Sequence, residues 1–169
     1  DIAFVPLFRF QGVLVMAADH RLAAREWIEP EDLADEVLIT YPVEEQRLDV
    51  YRNFLWRAGV QPRQRRTVEL TLLMLQLVAS GRGVAALPEW AVMDPRLAPR
   101  LVHRPLGKDG FRATLYCALR AAEAHLPYLQ AFLDCARRVS FATLDGIEPV
   151  KEGDAVVVSP AKRGRNARR

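Results

Sequence analysis

Leu77-Val78-Ala79-Ser80-Gly81-Arg82-Gly83-Val84-Ala85-Ala86-Leu87-Pro88 reads as the end of a helix, a tight reversal and a short strand. Gly81 can take the left-handed conformation that closes a helix, and Gly83 lets the chain turn sharply into the strand. Pro88 lacks the N–H that a strand ladder needs, so it stops the strand. The helix before it, through Leu70, Leu72, Leu73, Met74, Leu75, Leu77 and Val78, is apolar nearly all round. Such a helix is expected to pack on several sides and to lie inside its lobe.

Working outward, residues 47–58 have helical spacing, with Leu48, Tyr51 and Leu55 on one face and Phe54 on its flank. Gly59 ends that helix and Pro62 keeps it from resuming. Further upstream, residues 37–41 form a buried strand that stops at Pro42, and 28–33 open a single helical turn around Pro30. Residues 2–8 and 13–17 read as two short strands joined through polar Arg9 and Gln11 and through Gly12. Downstream come a turn around Trp90, a short apolar pair at Leu101-Val102 and a strand over 113–119. A last amphipathic helix begins at Leu126 and turns Leu129, Phe132, Leu133 and Ala136 inward. Beyond Phe141 the pattern dissolves; 145–169 read as a mobile tail in which 155–158 can pair transiently as a strand. Strands alternating with helices predict an α/β fold with a largely parallel sheet.

Half of the 169 residues are apolar and 27% are charged, a balance suited to one ordinary domain or two small lobes. No apolar run approaches the roughly 20 residues that span a bilayer. Asp1 enters a strand directly, with no leader, which reads as a start within a longer protein in the cytoplasm. The net charge of +3 hints at nucleic acid, but Lys162, Arg163, Arg165, Arg168 and Arg169 crowd the last eight positions. In residues 1–161, 19 basic side chains meet 21 acidic ones, a net of −2, so phosphate affinity belongs to the tail. Cys117 and Cys135 have neither the number nor the spacing of a metal cage or disulfide framework and are expected as reduced, partly buried thiols. His20, His103 and His125 lie in separate segments, which argues against a metal site. No nucleophile elbow, phosphate loop or carboxylate pair is present, so an enzyme is not expected.

The Leu77–Pro88 stretch resembles the "LV-x-x-G-x-G-x-x-x-LP" element of the LysR-type effector domain. Val13-Leu14-Val15 with Asp19-His20-Arg21-Leu22-Ala23 is similar to that family's strand and "HPLA" element, although Arg21 stands where the family usually has proline. Ile28-x-x-x-Asp32-Leu33 and Leu38-Ile39 follow in family order. Tyr41-Pro42-Val43, Arg47-Leu48-Asp49-Val50, Thr71-Leu72-Leu73 and Ala85 through Trp90 look like the branch that regulates methionine biosynthesis. The resemblance covers residues 1–140. It implies a two-lobed, periplasmic-binding-protein-like (type 2) fold, truncated at its N-terminal side, with an effector between the lobes. Residues 1–12 would end the first lobe and enter the hinge, 13–112 would form the second lobe, and 113–140 would supply the second hinge strand and the C-terminal helix. Residues 141–169 would be a flexible basic tail. The resemblance further implies homocysteine as effector with no other cofactor, self-association into dimers or tetramers, and promoter DNA bound through a missing helix-turn-helix. A solute-binding protein for an amino acid or small anion shares the fold and is the alternative.

Open parallel sheets place ligands beyond the carboxyl ends of their strands, where helix N-termini also point. That rule selects Thr40, Tyr41 and Pro42 after one strand, Leu87 and Pro88 after another, and Thr71 at the start of the apolar helix. Free amides and the helix dipole there suit a carboxylate. Thr71 would hold it and Thr40 would add a hydroxyl contact; Tyr41, Leu87 and Trp90 would wall the thiol-bearing side chain. The plainer readings are a helix cap for Thr71, turn chemistry for Thr40, and core packing for Leu87 and Trp90. Arg47 either pairs with an acid across the cleft or is a solvated arginine at a helix start.

Overall fold

The polar joint at Arg9, Gln11 and Gly12 does not break the chain, because residues Ile2–Ala17 form one strand, β1. A Cβ at Gly12 would lie 2.5 Å from the ring of Phe111, so the aromatic ring fills the place of the absent side chain and the ladder runs on. The structure is a computed structural model that describes residues 1–92, 98–151 and 157–159. Strands β2 (Val37–Thr40), β3 (Gln64–Thr67), β4 (Val84–Pro88), β5 (Leu101–Pro105) and β6 (Phe111–Arg120) follow. The chain divides into two units, residues 11–113 and residues 1–10 with 114–169, and the divisions fall inside β1 and β6.

In unit 11–113 the strand order is β3-β2-β4-β1-β5. β2 runs parallel to β3 and β4, while β1 runs antiparallel to β4 and β5. The sheet is therefore mixed, not largely parallel as expected. The expectation had no place for β3, whose Gln64-Arg65-Arg66-Thr67 carries no apolar alternation and survives as a half-solvated edge. Side chains alternate between the two faces of the sheet. Val13, Val15, Ile39, Ala85 and Leu87 join one apolar cluster; Leu14, Met16, Leu38 and Val84 join the other.

Helix α1 (Thr71–Ala79) covers the first face with Met74, Leu75, Val78 and Ala79. It is not packed all round, and this corrects the sequence reading: Leu70 is 67% exposed, Leu72 45% and Leu73 46%. One sheet face accepts only the residues one helical turn apart, and a uniformly apolar run cannot show which those are. Gly81 closes the helix at φ 68° as expected. The second face is covered by residues 45–58, which are not one α-helix. A 3-10 turn (Glu45–Arg47), a π-helical stretch (Val50–Leu55) and another 3-10 turn (Trp56–Ala58) end at Gly59, φ 69°. Val50, Tyr51 and Leu55 are buried there, so this apolar face is consumed by the unit's own core. His20, Arg21 and Glu36 tie the 3-10 turns of residues 21–33 to the entry of β2: Glu36 lies 2.7 Å from Arg21 and 3.3 Å from His20.

The other unit contains α2 (Pro127–Thr143), with Leu133 buried and Leu129 and Ala136 half-buried. Phe132, expected on the inner face, is 55% exposed. Arg137 donates to the Pro6 carbonyl at 2.9 Å. Residues 141–143, read as the start of a tail, are the last turn of α2. Two short strands then pair with β1: β7 (Ile147–Glu148) against Arg9 and Phe10, and β8 (Val157–Ser159) against Ile2 to Phe4. The expectations for residues 152–156 and for the basic stretch 160–169 lie outside the described residues.

Candidate functional site

β2 and α1 bring two of the expected residues together. Tyr41 leaves the carboxyl end of β2 half-buried against the Ile39–Met74–Leu87 cluster, and its Oη lies 2.7 Å from Oγ1 of Thr71. Thr71 is the first residue of α1, not its cap. Leu70 holds the N-cap position in extended conformation and offers no side-chain bond. The first intrahelical bond of this end is Met74 N–H to the Leu70 carbonyl, 3.0 Å. The helix thus begins without a side chain closing its first turn, which leaves amide N–H groups and the positive end of the dipole toward solvent.

Leu87 belongs to the same layer, being 3% exposed in the cluster that Tyr41 packs against. Its position is core, as the plainer reading had it. Pro88 and Trp90 are half-buried just beyond, Trp90 on the 3-10 turn Glu89–Val92. Pro42 is exposed at the turn after Tyr41. Arg47 is 72% exposed and sits 3.4 Å from Glu44 of its own turn, a local pair in water that contributes little.

Thr40 points the other way. Its residue alternates with Ile39, so its side chain shares the Leu38 face and is buried at 5% exposure. Its hydroxyl donates to the Tyr41 carbonyl at 3.2 Å and accepts from Nε of Arg65 at 2.8 Å. The one proton of Thr40 is therefore committed, and the hydroxyl has none to give a carboxylate.

Arg65 is the residue that sequence reasoning missed. Besides Thr40 it reaches the carbonyls of Tyr41, at 3.0 Å, and Val43, and its Nη1 lies 3.9 Å from Glu45. The signal available in sequence was the second arginine of Gln64-Arg65-Arg66-Thr67, but nothing marked that segment as a strand beside β2. Beneath this group lies Tyr51, whose hydroxyl is fully buried and has no hydrogen-bond partner among the described residues. Burial pushes the Tyr51 phenol above its usual range and Glu45 adds to the rise, while Arg65 opposes it.

Of the expected residues, then, Tyr41, Thr71 and Leu87 share one face of the sheet, and Thr40 turns to the other. The Tyr41–Thr71 pair with the open start of α1 can donate to an anion. It holds no nucleophile–base arrangement, and among the described residues no cluster of His, Cys, Asp and Glu could bind a metal ion. No helix of the described residues is long and apolar enough to cross a membrane.

Comparison with known proteins extends the reading. Residues 1–140 match the family described as LysR substrate binding domain. Two curated relatives, each an HTH-type transcriptional regulator MetR, are 40% identical to this chain. The protein of Haemophilus influenzae aligns over 87% of this chain and 47% of its own length, that of Escherichia coli K12 over 96% and 51%. The chain spans about half the length of the curated relatives it matches. The solved regulatory domain of MetR, a LysR family regulator from N. meningitidis, is 42% identical with a TM-score of 0.82, covering 89% of this chain and 69% of that one. The mixed sheet with flanking helices is the periplasmic-binding-protein-like α/β fold of LysR regulatory domains, and the family is one of transcriptional regulators, not of enzymes.

Proposed function

This chain belongs to the LysR substrate-binding-domain family, and on that premise we propose that it senses homocysteine for a regulator of methionine biosynthesis genes. The observation that carries the reading is the Tyr41–Thr71 hydroxyl pair, 2.7 Å apart, at the uncapped start of α1. The pair spends one hydroxyl proton on its own bond, so the other hydroxyl proton and the first-turn amides form the donor set for a carboxylate, and a helix start favours negative charge there. The ring of Tyr41, backed by the core at Leu87, supplies the apolar wall for a thiol-bearing side chain, with Trp90 and Pro88 further along the chain. Pro42 is exposed in the turn after Tyr41, Arg47 is a solvated arginine paired with Glu44, and Thr40 shapes the turn without touching the ligand.

On this reading the protein is a non-catalytic, cytoplasmic sensor without cofactor. It acts as a homodimer or homotetramer and meets promoter DNA through a helix-turn-helix outside residues 1–169. Binding shifts the regulator only to the extent that homocysteine has different affinities for two arrangements of the protein.

Calorimetry of the intact regulator with homocysteine, methionine and cysteine tests the assignment. Homocysteine is expected to bind, and Thr71→Val to weaken it by about 10- to 100-fold, the effect of losing one hydrogen bond to a charged group. Heat with methionine or cysteine but none with homocysteine would overturn the ligand. Unchanged affinity in Thr71→Val would overturn the site.

A further inference from the structure

The turn that presents Tyr41 is fastened from behind. Val43 N–H donates to the Tyr41 carbonyl at 2.8 Å across Pro42, a tight three-residue turn. That same carbonyl accepts from the Thr40 hydroxyl and from Nη2 of Arg65. Arg65 has five N–H donors in a rigid planar fork. Nε goes to the Thr40 hydroxyl, Nη2 serves both the Tyr41 and Val43 carbonyls, and Nη1 faces Glu45 at 3.9 Å. Three acceptors from residues 40, 41 and 43 thus converge on one guanidinium. Carbonyl dipoles aimed at one point repel each other, and a cation between them removes that cost.

We propose that Arg65 is a positioning residue for the Tyr41–Thr71 site, holding the β2 exit turn so that the Tyr41 phenol meets Thr71 on the opposite face of the sheet. The inference rests on the reading of Tyr41 and Thr71 as an effector wall, and it adds the part that sets their geometry. β3 carries the arginine to its place: its register sets Arg65 beside Leu38, one alternation before Thr40, on the same face. A lysine there has a single point of charge and no fork, so it can reach one or two of these acceptors and not all. The turn is then free to swing, and the phenol with it.

Fluorine NMR of the full chain labelled with 3-fluorotyrosine reads this without any ligand. The Tyr41 line is assigned by its loss in Tyr41→Phe, and its position with the hydroxyl pair broken is given by Thr71→Val. Arg65→Gln is expected to move the Tyr41 line toward that broken position, Arg65→Lys to move it part of the way, and Arg63→Gln, just outside β3, to leave it in place. Should Arg65→Gln fail to fold, Arg65→Lys decides alone. A Tyr41 line that stays put in the folded Arg65 variants overturns the proposal. In calorimetry the same variants are expected to lose homocysteine affinity by about tenfold for Arg65→Gln and less for Arg65→Lys; affinity equal to the parent also overturns it. If the parent protein does not bind homocysteine, the effector reading fails, and the fluorine shift still decides the role of Arg65.

Discussion

Tyr51 buries its whole side chain in the layer beneath the β2 exit, and its hydroxyl finds no partner among the described residues. A buried orphan hydroxyl costs stability, so Tyr51→Phe is expected to leave the fold as stable as before or to raise it by up to about 1 kcal/mol, measured by urea unfolding at pH 7. The same burial predicts an alkaline signature. Because the folded-state pKa is raised above the ordinary value of 10.0, the unfolded chain loses this proton first as pH rises. Stability from the neutral phenol is complete below pH 10.0 and drains away as pH climbs toward the folded value. Tyr51→Phe removes that contribution, so the parent should fall faster than the variant above pH 10.0 in parallel unfolding curves. At this scale sequence reasoning named Tyr41 and Thr71, whose hydroxyls the structure brings within 2.7 Å of each other, because strand ends and helix starts are places that pattern can locate. It assigned Thr40 a ligand contact because pattern does not say which face of the last strand residue is the occupied one. Arg65 escaped altogether, since the three acceptors it meets belong to the end of β2 and the turn after it, which the arginine's own segment does not reveal.

Among the elements, the reversal between α1 and β4 is the most constrained. Gly83 has φ 150°, and a Cβ there would sit 2.4 Å from the carbonyl oxygen of Val37. Gly81 has φ 68°, but nothing lies within 4 Å of its would-be Cβ. Alanine at 81 therefore meets only the left-handed penalty, about 1–2 kcal/mol, whereas alanine at 83 must also displace a neighbouring strand. Thermal unfolding should rank Gly83→Ala well below Gly81→Ala, with a cost for the former of about 2–4 kcal/mol. An equal pair of melting temperatures would mean that the close approach of β4 to β2 is not maintained. The glycine pattern was legible because it states a backbone need directly. The all-leucine look of α1 was not, since burial of Met74, Leu75, Val78 and Ala79 but not Leu70, Leu72 or Leu73 depends on where the sheet lies. The 45–58 segment showed its apolar face in sequence, while its switch between 3-10 and π winding has no compositional mark.

At the level of the whole molecule the core is unevenly shared. Two large apolar clusters fill unit 11–113, whereas the buried apolar residues of the other unit are Ala3, Val5, Pro6, Phe8 and Leu133 among those described. Local opening follows buried apolar contact, so hydrogen exchange should be slowest at β2, β4 and residues 13–16 of β1, and faster by orders of magnitude at β7. Uniform protection across both units would contradict this. The α/β class was legible from alternation alone. The antiparallel placement of β1 was not, because strand direction leaves no trace in composition.

One unit is a single unbroken segment, residues 11–113, and the other is assembled from two pieces, residues 1–10 and 114–169. During synthesis residues 11–113 can leave the ribosome as one run before residues 114–169 of the other unit are made. In a gene, likewise, 11–113 is a cassette: recombination at two breakpoints would exchange the proposed sensing wall and leave the remainder intact. Both breakpoints fall within paired strands, however, and one added or lost residue in a strand turns every following side chain to the opposite face. Descent by such exchange is therefore confined to joints that keep the reading of β1 and β6 in phase, and length variation in this lineage should collect in the turns, not at those two seams.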